Sequence, residues 1–380
     1  MNRIGNEHGA AMIIALTMLL MLGLVGAASI QTSSTDMSIS DNYRQDVRSF
    51  YLAEAGVEHA CGILRDSADW REGLSDVVLG GGAYSTRILD ADSIPALDDT
   101  ILVISSGVRS GARSIVAVRL LPDRPFRWAA FGDDRFDLNG GTVTDSYDSD
   151  SGSYAVTQRN EDGDVGSNGT IGINGNATIN GDASTSSPGD MTIEGSSVVT
   201  GDTTTAADVI TLDPVTQDHI NNAKAVSPAP GGMFGMYNFN AGSKSLSVQP
   251  GKTLILAGGT YYFSTMDFKG NVQVQPGATV KIYTDGDFHV DATATVNTLA
   301  DPEQLQIFCR GAKVTVNGGA EIHSVIYAPE SLMEFNGNGV FYGAYIAADI
   351  QQNGAAQFHY DRALRHLSWG GMSRVAWQEL

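Results

Sequence analysis

The chain has 380 residues, 43 acidic against 23 basic, for a formal net charge of −20. Such a surface repels phosphate backbones, which excludes a nucleic-acid groove, and suits a protein kept soluble outside the cytoplasm. With 44 glycines and only 17% charged residues, the composition points to turn-rich β-structure and away from a helical enzyme.

The first element is a helix. Ala10 to Ile30 carries no charge and supplies the roughly 20 apolar residues that a bilayer core demands. Beyond it, Tyr43, Val47, Phe50, Val57, Cys61 and Leu64 fall at steps of three and four, interrupted only by Glu54. That is one stripe of an amphipathic helix. No proline precedes Pro95, so nothing forces a break. We read residues 10–30 as a transmembrane half and 31–66 as an amphipathic half. Residues 67–125 read as a small β headgroup: GAYSTRIL (Gly82–Leu89) alternates, and Thr100–Pro122 reads as two strands around a Ser/Gly/Arg turn.

The rest is of another kind. Asn-Gly recurs at Asn168, Asn174 and Asn180, and glycine continues the step of six at Gly189, Gly195 and Gly201. Ile171/Ile173, Ala177/Ile179 and Ala183/Thr185 then share one strand face, because side chains alternate at period two. Short strands ended by turns that tolerate positive φ describe a β-solenoid. Asn-Gly returns at Asn317, Asn336 and Asn353, at steps near three strands per coil. The expected layout is a first solenoid part at 126–211, a Pro-rich loop or short helix at 212–233, and a second part at 234–380. The tail, with Trp369 and Trp377, reads as a cap over one end. The fold class is α+β, mainly β.

Candidate chemistry is sparse. In DGDFHVD, Asp287, His289 and Asp291 share a strand face opposite Phe288 and Val290, and Glu321 and His323 flank Ile322 in the same way. The spacing of His289, His323 and His359 suggests one wall. With the apolar partners inward, these residues form an outward polar cluster, and we assign no catalytic or metal role to it. The Asp-rich stretches Thr144–Ser153 and Asn160–Gly169 miss the twelve-residue calcium loop at its first and last ligand places, Gln158 and Gly169. They read as solvated loops, with nonspecific calcium binding as the alternative. Cys61 and Cys309 read as small buried apolar residues, with a disulfide as the alternative. No cofactor motif occurs.

Three stretches carry a resemblance: a short polar leader ending in Gly9, the apolar segment beginning AAMIIALTMLL, and FYLAEAGVEHA at Phe50–Ala60. They resemble the N-terminus of PilX-type type IV minor pilins. The resemblance implies cleavage by a prepilin peptidase between Gly9 and Ala10, with the apolar helix kept as membrane anchor and later as filament core. Major pilins place a glutamate five residues into the mature chain; here Ile14 stands there, which favours a minor subunit. Further on, GGTYYFSTMDF, Val325–Gly354, FHYDRAL and SRVAWQEL resemble the carboxy-terminal β-helical domain of some PilX-like pilus assembly proteins.

The favoured reading is a non-enzymatic minor pilin that displays a β-helical module for adhesion or partner binding. Its implied partners are other pilins, the assembly machinery, the peptidase and the membrane, crossed once with the C-terminal part outside the cytoplasm before transfer to a pilus or the cell surface. Two alternatives stand beside it. One is a membrane-tethered β-helical carbohydrate-active enzyme or adhesin. The other is a bactofilin-like polymer-forming scaffold, which would need bare solenoid ends.

Overall fold

A computed structural model of the chain describes residues 7–66, 70–90, 93–97, 100–122, 124–186, 190–227, 232–298, 301–369 and 371–380. The chain divides into two compact units, Met1–Pro122 with Met372–Leu380, and Asp123–Gly371.

The first unit is built on one helix, α1 (Glu7–Asp66). Gly9 and Ala10 lie in its first turns, and the leader residues 1–6 are outside the described residues. From Met12 to Ile39 its large apolar side chains are exposed, Ile14 among them. The hydroxyls of this half do not need water, because they donate back to the helix: Thr17 to the Ile13 carbonyl, Ser29 to Val25 and Thr32 to Ala28. The second half docks on an antiparallel sheet of β1 (Leu74–Leu79), β2 (Gly82–Leu89), β3 (Ile101–Arg109) and β4 (Ala112–Pro122). Ala53, Val57, Ala60 and Leu64 bury against Ile88, Val103, Val116, Val118 and Leu120. The helix comes very close: a Cβ on Gly107 would sit 2.1 Å from the Ser49 carbonyl oxygen. Small residues at the contact are therefore a requirement; of the expected stripe, Val57 and Leu64 are buried, Phe50 and Cys61 pack against the core, and Tyr43 is exposed.

The tail corrects an expectation. Met372–Glu379 is a strand of the first unit, not an end cap: it pairs antiparallel with β4, from Met372 opposite Pro122 to Glu379 opposite Val116. The Trp377 indole donates to Glu54 Oε1 at 2.7 Å, and Arg374 bonds Glu58. Glu54, the gap in the apolar stripe, is thus the acceptor for this strand.

The second unit stacks short parallel strands on three walls. On the first wall Ser245–Val248 pairs with Thr265–Phe268, then Phe288–Val290, then Lys313–Asn317, then the ends of the two long strands Glu321–Asn336 and Val340–Asn353. Successive partners lie about twenty residues apart, from 17 (Met333 to Ile350) to 26 (Phe288 to Val314). Side chains alternate along each strand, and every second one is buried. The expected inward set Ile171, Ile173, Ala177, Ile179, Ala183 and Thr185 is buried throughout.

Stack order differs from chain order. Val340–Asn353 pairs next with Ala130–Gly140, and Gln357–Asp361 with Val143–Tyr147. The chain therefore enters the stack in its middle. It lays strands outward to Met191–Ile193, Val198–Val199 and Thr203–Ala207, then crosses over through 208–227. It starts again at Met233–Gly235 and builds back to the seam, so the two expected parts are one 24-stranded sheet. The crossing contains α3 (Gln217–Val226), capped by Thr216, with Ile220 and Ala223 buried. The Asn-Gly pairs make one corner of the stack: Asn317, Asn336, Asn353, Asn139 and Asn174 stand in register, each followed by a glycine at positive φ. At Gly337 (φ 117°) a Cβ would meet the Gly318 backbone at 2.9 Å, so only glycine permits the next layer to close.

Candidate functional site

Two outer faces of the stack divide the polar cluster expected from sequence. His289 lies on the first wall, whereas Glu321 and His323 lie on the second. The wall changes because the layer from Phe288 to Val314, a step of 26, is longer than the steps of 19 and 17 that follow it. His289 Nε2 stands 3.0 Å from Asn317 Nδ2, an atom that only donates, so Nδ1 carries the proton and donates to Asp267 Oδ1 at 2.9 Å. From Asn317 an amide ladder runs along the corner: Asn336 donates to Asn317, Asn353 to Asn336 and Asn174 to Asn139 at 3.3 Å, and Asn139 to Asn353 at 3.4 Å. Asp287 accepts the Lys313 amide at 3.2 Å and Asp291 the Ala292 amide at 2.7 Å. These are positions in a scaffold.

On the second wall His323, Tyr342, His359 and Asp145 are in register across four layers. His323 Nε2 lies 3.0 Å from Glu321 Oε1 and its ring stacks 4.1 Å from Tyr342. His359 follows, buried, with Nδ1 at 2.5 Å from Asp145 Oδ1. An excursion over 148–163, with α2 (Tyr154–Thr157), folds across this ladder. The Tyr154 hydroxyl donates to Asp145 Oδ2 at 2.7 Å and its ring lies 4.1 Å from His359. Asp361 accepts the Ser149 amide at 3.0 Å, and Arg365 pairs with Asp162 at 2.9 Å. The excursion is a strap over the seam. Burial pushes the His323 pKa down and the Asp361 carboxyl up.

The third wall is apolar outside. Tyr262, Tyr283, Phe308 and Tyr327 form a ladder covered by α3 and by Trp369, whose ring stacks 4.0 Å from Phe308. Beyond Ile346 and Phe131 the ladder shrinks to Gly166, Ser184 and Thr204. A Cβ on Gly166 would lie 2.7 Å from the Phe131 ring and 3.1 Å from Trp128. The small floor leaves a cleft of about 400 Å³ between these rings, Asp164, Ser186 and Asp208. Burial raises the Asp164 carboxyl. The dimensions suit a small polar ligand. Among the described residues no three His, Cys, Asp or Glu side chains converge to hold a metal. Cys61 and Cys309 are free thiols, the latter pushed up to about 11 by burial.

Sequence spacing alone found the His323–His359 register. It missed the strap, the cleft and the amide ladder as a continuous line, although the recurring Asn-Gly pairs were its signal.

Among the described residues one helix is long and apolar enough to cross a membrane, and a sheet docks on its second half, an arrangement that fits a single-pass membrane anchor. Residues 8–58 match the PilX N-terminal family, so this segment of the chain is similar to the N-terminus of PilX-type pilins. Residues 264–367 match a domain of unknown function, DUF7305. The competence-associated pilin ComZ from Thermus thermophilus is 12% identical over 88% of this chain and 97% of its own, with a TM-score of 0.31, a likeness too slight to bear on this fold. No curated protein matches the chain.

Proposed function

We propose that the chain is a non-enzymatic minor pilin whose second unit is a β-solenoid displayed on a pilus or related filament. A prepilin peptidase cuts between Gly9 and Ala10. The helix then anchors the protein in the inner membrane with its C-terminal part outside the cytoplasm, and later joins other pilins in the filament. The observation that carries this reading is α1 itself, apolar and exposed from Met12 to Ile39 yet docked through small residues from Ser49 onward. An exposed apolar helix half needs either lipid or neighbouring helices to cover it. Parallel pairing at a step near twenty residues, with alternate side chains inward, supports the solenoid. Its outer walls are held in scaffold contacts, and the cleft beside Trp128 is the surface shaped for a ligand, so adhesion or partner binding is the role assigned to it.

N-terminal sequencing of the protein from its native membrane tests the first step. The mature chain should begin at Ala10, and Gly9→Val should leave the precursor uncut, because the peptidase requires a tiny residue beside the scissile bond. A start near Ser29 would end the pilin reading.

A further inference from the structure

The two ends of the stack differ in charge. No lysine or arginine occurs between Arg159 and Lys224, and no acid between Asp218 and Asp267. The fold sends these two stretches to opposite ends. The layer 191–207 is one end; among the described residues no strand pairs with its outer edge. It exposes Glu194 and Asp202, flanked by Asp190 and, at the cleft, Asp208, none in an ion pair among the described residues, beside Ile193 and Val198, the latter 51% exposed. The other end is closed by Met233–Gly235 and Asn238–Asn240, which run antiparallel to their neighbours and, among the described residues, have no strand on their outer edge. It exposes Lys244 and Lys252, likewise outside any ion pair, beside Phe234 at 46% and Met236 at 59%. In a chain of net charge −20, a lysine-only end requires explanation. Free strand edges are normally blunted or covered, and here apolar side chains accompany them. The chain enters and leaves the stack at its middle layers, so the two end layers are joined to the rest only through the second unit's own chain.

We propose that the acidic end of one stack docks on the lysine end of a second copy of this chain. The contact is heterologous, so it leaves a free end on each side and propagates as a row of subunits. Strand edges supply main-chain hydrogen bonds, the apolar pairs supply buried area, and charge sets the polarity of pairing, since like ends repel. This inference rests on the solenoid reading and goes beyond display.

Cross-linking of the full chain in its membrane tests it. In a Cys61→Ala, Cys309→Ala background, Val198→Cys and Phe234→Cys in one chain should give an interchain disulfide ladder of dimers and higher species on oxidation. Either substitution alone should give none. The ladder should fall at least tenfold in 1 M salt, where the Debye length is about 3 Å, and in Lys244→Glu, Lys252→Glu. Glu194→Lys with Asp202→Lys should restore it in that charge-reversed chain. Dimers from a single cysteine, or a ladder indifferent to charge, would overturn head-to-tail docking. A separate chain with Thr315→Cys and Glu334→Cys, paired neighbours in adjacent layers, reports on the stack itself. Failure of that intrachain bond would overturn the solenoid reading and the docking together, whereas its formation without any interchain ladder overturns the docking alone.

Discussion

The two units reach a buried core by opposite means. In the first, a helix presses onto a sheet so closely that Gly56, Gly107 and Ala53 are set by what does not fit. In the second, successive layers lie at the fixed spacing of paired strands, and the interior must be filled. Phe335 does this by packing its ring 4.6 Å from Phe341, 5.0 Å from Phe358 and 5.6 Å from Tyr345. The difference teaches that the same kind of substitution has opposite consequences in the two units: enlargement breaks the first, truncation the second.

The largest effects should come from charge in the stack. Val316→Asp and Ile173→Asp each place a carboxylate at a buried position and should lose several kcal/mol, enough to melt the second unit. Thermal unfolding followed by circular dichroism reads this directly, and an unchanged transition would mean that these faces point outward. Next, Phe335→Ala should cost about 3–5 kcal/mol in the second unit. Gly107→Ala should cost about 1–3 kcal/mol in the first, because its Cβ would meet the helix backbone at 2.1 Å. Hydrogen exchange resolved along the chain would separate the two, with protection lost in the stack for one and in the sheet for the other. If Gly107→Ala left the sheet protected, close approach would not be what limits it.

A smaller effect concerns pH. Burial lowers the His323 pKa, so the unfolded chain binds the proton more readily than the folded one. This part of the stability is present above the unfolded value of about 6.5 and is lost as pH falls through the folded value. His323→Gln should flatten the decline in melting temperature below about pH 6.5; an unaltered pH profile would remove His323 from that role. Smallest of all, His289→Ala gives up two contacts on a partly exposed face and should shift stability by less than about 1 kcal/mol.

Much of this was legible in the residues because it is local. Period-two alternation placed Ile171, Ile173 and Ala177 inward, and Asn-Gly marked a corner, since both signals act within a few positions. The seam was not legible. Phe136 pairs with Ile350 and Thr144 with Phe358, contacts across some two hundred residues that no local preference encodes. The final strand was misread for the same reason: Trp377 looks like part of a cap until β4 is seen to supply its partner strand. On the outer walls, His289 fell away from His323 because layer length varies, so equal spacing in the chain is not equal position in the stack.

The pairing of Met372 with Pro122 makes residues 123–371 a cassette set into a hairpin. Cutting the chain after Pro125 would strip the head sheet of its edge strand, so the clean excision joins Pro122 to Met372 through a tight turn. The shortened protein keeps β4, its partner strand and the Trp377–Glu54 bond, and it retains the whole of α1. By the same geometry the insertion point lies between two paired strands, so a module whose own ends lie side by side should be accommodated there with the helix and the sheet kept.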